Sequence, residues 1–412
     1  MKNNHNIPAV HSYSILKQVC NLIPPHLVHG LAADHGVAKR SRTFTPWSHV
    51  VSLLYAQLTH AIGLNDVCDG LQMNAGVVNT LRGAVPPTRN TLSHANRVRD
   101  CAMAEALYWR MRDHLACQTA SFRAGRARRG YLRRFRHALH VVDSTTIQLV
   151  ANCMDWAKHR RRKAAAKCHL RLNLQSFLPQ CAVVTTARQT DNREAWTLCR
   201  NLQAGEIAIF DRAYIDFAHL WDLDARGVGW VTRARENLSY RPVRPLATTS
   251  HPRIVCDELI ELADWQSSKR YPRHLRRVVA MIELHGRETK MVFLTNRLEW
   301  SAWSVAELYR GRWDIEVFFK EIKQTLQLSD FLGYSANAVH WQVWIALLVH
   351  LLLRYLAHVH GWSHSFTRLF TVLRASVWRR WHLGALLQSY GTAHPPGRIR
   401  AAPEQAYLPA FA

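Results

Sequence analysis

Short runs of β-branched and aromatic residues in the middle of this 412-residue chain constrain its fold more than any other feature. Each run has the length of a strand and is bounded by polar residues or glycine. The runs are ALHVVDSTTIQLV at 138–150, CAVVTT at 181–186, EIAIF at 206–210 and GVGWVTR at 227–233. Between the second and third, REAWTLCRNLQ has helical spacing, and Gly205 follows it as a helix-ending residue. Strands interleaved with helices predict an α/β core.

Two further strand-like runs, RRVVAMIEL and TKMVFLTN, predict a β-rich insertion at about 234–295. After the insertion a long helix is expected to begin near Ser304, because Ser304 and Glu307 have the spacing of a capping box. Apolar periodicity predicts a buried helix at about 338–360 and another helix at about 365–389.

The amino-terminal 120 residues are predicted to be helical. PWSHVVSLLYAQLTHAIG and NTLSHANRVRDCAMAEALYWRMRDHL both carry apolar residues at intervals of three and four, and GAVPPTRN separates them. We interpret this region as a small domain that binds or organises DNA. A purely structural cap explains the pattern nearly as well.

These patterns divide the chain into five parts. They are a helical domain at 1–120, an arginine-rich linker at 121–136, an α/β domain with its insertion at 137–360, a carboxyl-terminal helix at 361–390 and a flexible tail at 391–412.

The charge balance indicates the class of partner. Lys and Arg total 54 against 29 for Asp and Glu, which gives a formal net charge of +25. Such an excess favours a polyanion, because neutralising phosphates releases their counterions. Nucleic acid is the favoured partner, and ribosomal-type or membrane-surface basic proteins are the alternative classes.

The chain shows no feature of a secreted or membrane protein. Its start, MKNNHNIPAVHSYS, contains no apolar signal-peptide region. The most apolar stretch, Val343 to Val359, is interrupted by His350, Arg354 and His358, so a buried helix is expected and no membrane partner. The nine cysteines are scattered without a CxxC pair, which suits a reducing cytoplasm and neither a disulfide framework nor a zinc site.

Two aspartates, Asp143 in HVVDSTT and Asp211 in IAIFDRAY, stand where predicted strands end. An acid on the rigid edge of a sheet has its oxygens free to bind a metal ion. Taken alone the evidence is weak, since aspartates at strand ends more often form turns or cap helices.

A third acid lies in the helix predicted after the insertion. At about 100° per residue, Tyr309, Arg312, Glu316 and Lys323 fall within one narrow arc of that helix. Beside this arc runs an apolar stripe that would seat the helix on the sheet, formed by Leu308, Ile315, Phe319, Ile322 and Leu326. A solvated amphipathic helix with Glu, Arg and Lys pairs is the alternative.

The spacing Tyr309-x2-Arg312-x3-Glu316-x6-Lys323 resembles the YREK signature of the insertion-sequence-four family of bacterial DDE transposases. Other segments resemble the family in the expected order. They are the DST that starts at Asp143, Lys167-x-His169, FDRAY around Asp211, VTRARENL around Arg233, and FLTN before the helix. The resemblance covers roughly residues 10 to 390.

This resemblance implies a ribonuclease H-like fold in which Asp143, Asp211 and Glu316 are the catalytic residues and hold two Mg²⁺ ions, with Mn²⁺ able to substitute. The implied reaction cleaves the transposon ends, passes through a DNA hairpin and transfers the strands to target DNA. It also implies that Tyr309 and Arg312 grip the phosphate beside a flipped base and that Lys323 lies near the cleaved strand.

Further DNA contacts are expected from position along the chain. Trp313 could stack on an extruded base, although core packing is an equally good explanation for a tryptophan. Cations and a histidine near the acids would contact phosphates: Arg212, Arg233, Lys167, His169 and Lys320.

The predicted protein is therefore a bacterial transposase that acts on double-stranded DNA in the cytoplasm, at the nucleoid, and pairs two ends as a homodimer. Two alternatives stay open. One is a nuclease or junction resolvase of the same fold that cuts without strand transfer, and the other is a non-catalytic DNA-binding relic, against which three intact acids argue.

Overall fold

The computed structural model describes residues 8–40, 42–124, 135–149, 158–160, 163–186, 191–246, 251–284, 286–325 and 332–390. Most of the predicted arginine-rich linker and the whole predicted tail lie outside these residues.

In the part of the chain that the structure describes, ten strands form one sheet, ordered β2-β3-β1-β5-β6-β10-β9-β8-β7, with β4 paired to β3. The strands are β1 Leu139–Leu149, β2 Lys158–Arg160, β3 Lys163–Asn173, β4 Leu178–Thr186, β5 Ile207–Phe210, β6 Gly229–Arg233, β7 Tyr240–Pro245, β8 Ile254–Leu262, β9 Leu275–Leu284 and β10 Arg287–Thr295. The predicted α/β class is confirmed.

The order of the strands is that of a ribonuclease H-like core. β1, β3 and β4 form an antiparallel meander, and β5 and β6 then add in parallel on the other side of β1. Successive residues of β1 and β5 alternate between two hydrophobic cores, with Val141 and Ile209 on one face and Val142 and Phe210 on the other. Helices therefore cover both faces of the sheet.

The predicted β-rich insertion continues the main sheet. β10 pairs antiparallel with β6, with Leu294 opposite Thr232, and β9, β8 and β7 follow outward. Asp257 of β8 accepts two hydrogen bonds from Arg276 of β9, at 2.8 and 2.7 Å, and both side chains are buried. Because β10 shares backbone hydrogen bonds with β6, the insertion is a continuous extension of the core sheet.

The described α-helices are α1 Ile15–Cys20, α2 Pro25–Asp34, α3 Pro46–Thr59, α4 Leu64–Met73, α5 Ala75–Asn79, α6 Arg89–Val98, α7 Ala102–Gln118, α8 Ala120–Ala124, α9 Asp191–Cys199, α10 Phe217–Ala225, α11 Trp265–Arg270, α12 Ala302–Arg310, α13 Trp313–Lys320, α14 Ala336–Val359, α15 Phe366–Ser376 and α16 Leu383–Ser389. A 3₁₀ turn occupies Arg212–Tyr214, and a π-helical segment occupies Glu321–Thr325.

The helix α14 joins the amino-terminal helices to the sheet. It packs on α3, α6 and α7, and its residues share one core with Leu54 of α3 and Val141 of β1. Trp341 and Asn337 both donate hydrogen bonds to the carbonyl of Arg99, at 2.8 and 2.6 Å. The amino-terminal helices therefore form part of the same core as the sheet.

The same helix accounts for the most apolar stretch of the sequence. By length and composition alone α14 could cross a membrane, but 78% of its most apolar window is buried inside the molecule. Packing between helices explains its composition, as the sequence predicted.

The carboxyl-terminal region differs from the single helix predicted at 361–390. α15 ends at Ser376, and α16 begins only at Leu383. The backbone between them bonds to the amino-terminal segment instead, with the amide of Ile15 donating to Arg379 O at 2.9 Å and that of His11 to Arg380 O at 2.8 Å. These pairings to another part of the chain prevent a continuous helix.

Candidate active site

Asp143 and Asp211 lie side by side because of the register between β1 and β5. The two strands run in parallel, and their last paired residues are Val142 and Phe210. The next residue on each strand is an aspartate, and neighbouring strands lie about 4.8 Å apart. β1 does not end at Asp143, as the sequence suggested, but continues to Leu149 as the partner of β3.

Glu316, the third acid, lies on α13, which is separated from α12 by a turn. Ser301 caps α12, accepting a hydrogen bond from the amide of Ser304 at 3.1 Å, so the helix begins earlier than the predicted capping box. At its end the amide of Arg312 bonds to the carbonyl of Tyr309 at 3.0 Å, a tighter turn than an α-helix makes. α13 then starts anew at Trp313, so one continuous helix was the wrong prediction for this stretch.

This break gives Tyr309 and Arg312 different partners among the acids. The Tyr309 hydroxyl donates to Asp211 Oδ1 at 3.2 Å. The Arg312 guanidinium donates to Asp143 Oδ2 at 3.1 Å through Nη1 and to Glu316 Oε1 at 2.7 Å through Nη2. Two side chains of the YREK motif therefore contact all three acids in two adjacent groups, Tyr309 with Asp211 and Arg312 with Asp143 and Glu316, and the Arg312 guanidinium lies 5.9 Å from the centroid of the Tyr309 ring.

Asp143 and Tyr309 are largely shielded from water, and this burial raises the pKa of both side chains. Burial raises the pKa of Asp143 to about 6, and the charges of Asp211 and Glu316 add to the rise, whereas the amide of Ser144 and Arg312 oppose it. Burial, followed by the charge of Asp211, raises the pKa of Tyr309, so its hydroxyl remains a donor. Arg312 has a side chain only 13% exposed, whereas that of Glu316 is 42% exposed.

The donor set fits a hard divalent cation, since all three side chains offer carboxylate oxygens. Among the described residues no group of three or more His, Cys, Asp or Glu is already close enough to hold one ion. The Arg312 guanidinium supplies the positive charge between Asp143 and Glu316 instead. Arg312 occupies one oxygen of Asp143 and one of Glu316, so a metal ion that used those two oxygens would displace the guanidinium.

A cleft of about 830 Å³ opens beside Asp211 and is bounded by the insertion on one side and α12 on the other. Its lining combines arginines, aromatic rings and three acids: Arg233, Arg253, Arg310, Arg312, Phe293, Trp303, Tyr309, Trp313, Asp211, Glu283 and Glu307. The Trp303 ring stacks on His251 with 3.8 Å between centroids and 11° between planes. Arginines beside aromatic rings have the chemistry to hold a nucleotide.

Three residues of this cleft, Arg253, Trp303 and Arg310, were not predicted as site residues. Trp303 and Arg310 lie on α12, the helix that carries Tyr309, so proximity to Tyr309 could have indicated them. Arg253 belongs to the insertion and carries no recognisable motif, so only the packing of β8 and β9 near α12 brings it to the cleft.

The predicted DNA contacts on α13 and the π-helical segment occupy different environments. Trp313 is 38% exposed and lines the cleft, with Arg312 5.3 Å above its ring, so it is not a core residue. Lys320 is exposed. Lys323 is half-buried, and this burial lowers its pKa.

The predicted contacts on the sheet also differ in accessibility. Arg233 lines the cleft, and exposed Arg212 donates to Glu236 at 3.0 Å. Lys167 is partly buried on β3, opposite Thr146.

His169 is the predicted contact that the structure contradicts. Its side chain is completely buried on β3, with Nδ1 3.3 Å from the Tyr214 hydroxyl and Nε2 3.2 Å from Thr185 Oγ1. A ring enclosed in this way cannot reach a DNA phosphate. Since Tyr214 belongs to the turn directly after Asp211, His169 supports that turn from inside the sheet.

Comparisons with known proteins give the family. A family model described as a transposase DDE domain matches residues 135–352, more than half of the chain. A second model, described as a domain of unknown function, matches residues 11–81.

Individual relatives agree with the first of these matches. The protein y4zB of Sinorhizobium fredii, named as a transposase, is 28% identical over 70% of this chain and 80% of its own length. A protein of Geobacillus stearothermophilus, named as a transposase for insertion sequence element IS5377, is 31% identical over 54% of this chain and 58% of its own length. The transposase InsG for element IS4 of Escherichia coli is 26% identical over 45% of this chain and 42% of its own length.

Proposed function

Since this chain belongs to the transposase DDE domain family and is a metal-dependent DNA transposase of the insertion-sequence kind, we propose that it binds the terminal inverted repeats of its element, cleaves there and joins the freed strands to target DNA. The reaction exchanges phosphodiester bonds and needs no energy cofactor. The observation that carries the proposal is that two neighbouring side chains of the YREK motif contact all three acids, Tyr309 bonding Asp211 and Arg312 bonding both Asp143 and Glu316.

Asp143, Asp211 and Glu316 would hold two Mg²⁺ ions, for which Mn²⁺ could substitute. Bound there, the ions would activate a water or a 3′-hydroxyl and stabilise the leaving oxygen of the scissile phosphate. The chain's own part is to orient the phosphate. Arg312, once released from the two carboxylates, presents a planar guanidinium that suits a phosphate's oxygens.

Arg312 has a second feature that supports a role on phosphate. Its Nε is buried and has no hydrogen-bond partner among the described residues. A buried donor without a partner is costly, so a site that supplies one on binding substrate gains stability. A backbone phosphate in the adjacent cleft would satisfy this donor while Tyr309 holds the next oxygen.

The cleft beside Asp211 would receive an extruded base. Trp313 offers an exposed ring face for stacking, and Arg233, Arg310 and Arg312 line the same cleft. Flipping a base frees the strand to bend, which suits a hairpin intermediate at the transposon end. Lys320, Lys323, Lys167 and Arg212 would contact the neighbouring backbone.

The arrangement of partners follows from the reaction. Two ends must be held together before strand transfer, so we propose a homodimer in the complex with DNA, acting at the nucleoid in the bacterial cytoplasm. The net charge of +25 provides the attraction for both the transposon ends and the target.

A strand-transfer assay separates this proposal from a nuclease or resolvase of the same fold. Precut ends with free 3′-hydroxyls are incubated with the protein, Mg²⁺ and a supercoiled target, and joined products are measured. We expect joined products, and none when the same ends terminate in a 3′-deoxynucleotide. Cutting of uncut ends without any joining of precut ends would favour the nuclease instead.

A further inference from the structure

Glu321, the first residue of the π-helical segment, belongs to a buried charge cluster that the proposed reaction does not use. Its two carboxylate oxygens accept hydrogen bonds from Arg354 Nη2 at 2.7 and 2.6 Å. His350 Nε2 lies 2.9 Å from Glu321 Oε2. The side chains of Glu321 and His350 are only 13% and 1% exposed.

The charges in this cluster are fixed by their surroundings. Burial alone would raise the pKa of Glu321, but the hydrogen bonds and charges of His350 and Arg354 outweigh it and lower the pKa. Burial also lowers the pKa of His350 despite the opposing effect of Glu321. At neutral pH the cluster is therefore a carboxylate and a guanidinium with a neutral imidazole that donates to the carboxylate.

Three phenylalanines enclose the cluster and come from three different elements. Arg354 lies 4.5 Å from the Phe177 ring centroid and 5.3 Å from that of Phe366. His350 lies 4.8 Å from Phe318 and 4.8 Å from Phe366. Phe177 is in the turn between β3 and β4, Phe318 is on α13, and Phe366 begins α15.

Glu321 connects α14 to the segment that carries Glu316, because it follows α13 directly. Glu316 is five residues earlier on α13, with a side chain 42% exposed, and Lys323 is two residues later on the π-helical segment. At about 1.5 Å per residue, Glu321 is about 7.5 Å from Glu316 along the axis. The π-helical segment, where the winding departs from that of a regular α-helix, begins at Glu321 itself.

We propose that Glu321, bound by His350 and Arg354, is a positioning residue that sets the rotation and height of α13, so that Glu316 faces Asp143 and Asp211. The inference rests on the proposed function. It predicts that the cluster affects the site through geometry, by determining how well three carboxylates share divalent ions. Groups that orient metal ligands typically contribute about 10- to 100-fold to metal affinity.

The test compares Glu321→Gln with Glu206→Gln in the full chain. Glu206 is a matched control because its carboxylate also pairs with a buried histidine, His140 Nε2 at 3.1 Å, and it precedes β5 at the end opposite Asp211. Mn²⁺ affinity is measured by titration calorimetry without DNA, and the midpoint of thermal unfolding is measured alongside. Both variants should lower the midpoint, but only Glu321→Gln should weaken Mn²⁺ binding, by about 10-fold or more.

Equal Mn²⁺ affinity of Glu321→Gln and the unchanged protein, or equal weakening by Glu206→Gln, would overturn the inference. If Glu321→Gln does not fold, His350→Gln keeps the Glu321–Arg354 pair and carries the same prediction in a smaller degree. If the unchanged protein binds no Mn²⁺, or binds it as tightly when Asp211 is replaced by Asn, the proposed function fails instead.

Discussion

At the scale of single residues, the two contacts of Arg312 with Asp143 and Glu316 make its guanidinium a competitor for any cation. The same side chain is suited to a phosphate. In the proposed reaction it would neutralise the acids before metal binding and would be available to DNA afterwards. This exchange avoids leaving two carboxylates close together without a positive charge between them.

The first prediction concerns Arg312→Ala. Removing the competitor should tighten Mn²⁺ binding to the DNA-free protein by roughly fivefold, since a partly exposed ion pair contributes about 1 kcal/mol. DNA cleavage should nevertheless fall about 10- to 100-fold, because a charged hydrogen bond to phosphate is lost. Calorimetry and single-turnover cleavage measure the two effects.

Arg310→Ala is the control for the metal measurement, because Arg310 lines the same cleft and forms no described ion pair with the acids. Its Mn²⁺ affinity should be unchanged. Weaker Mn²⁺ binding by Arg312→Ala would show that the guanidinium supports the metal site and does not compete for it.

At the scale of elements, β1 carries Asp143 within the strand, and the resulting burial determines its protonation. Its pKa in the folded protein, about 6, is above the ordinary value of 3.8. Because the pKa of this carboxyl is higher in the folded state, its protonation stabilises the folded state. This contribution to the free energy of unfolding is lost as pH rises from about 4 through 6. Metal binding requires the deprotonated form.

The second prediction is therefore a pH dependence of metal affinity. The apparent dissociation constant for Mn²⁺ should rise as pH falls through about 6, approaching tenfold per pH unit below it. Calorimetry between pH 5 and 8 measures this. An affinity independent of pH above 5 would mean that Asp143 either is not a ligand or titrates in its ordinary range.

The elements also show what the sequence could predict. Strand patterns located β1, β4, β5, β6, β9 and β10, because strands buried on both faces have short, nearly continuous runs of β-branched and aromatic residues. The motif spacing identified Tyr309, Arg312 and Glu316, but the helical projection placed them on one regular helix. The turn at Gly311 and Arg312 breaks this regular helix, and a periodicity argument that assumes one helix could not locate it. His169 was mistaken for a surface residue because its motif is basic, whereas its strand is covered on both faces.

At the scale of the whole molecule, residues distant in the chain produce the site. Motif spacing predicted the family correctly, and the family match over residues 135–352 confirms it. The insertion's place in the main sheet depends on segments that carry no motif. So do the cleft between it and α12 and the contacts of Glu321 with α14. The helices of the domain expected at 1–120 share their hydrophobic core with the sheet, which no pattern in the sequence indicates.

The central claim is that Asp143, Asp211 and Glu316 act together on one scissile phosphate, and single-turnover cleavage of a transposon end in Mg²⁺ tests it most directly. Asp143→Asn, Asp211→Asn and Glu316→Gln should each abolish cleavage while leaving end binding largely intact. Asp314→Asn, on the same helix two residues before Glu316, should cleave normally. Cleavage at the unchanged rate by any one of the three triad variants would contradict the account.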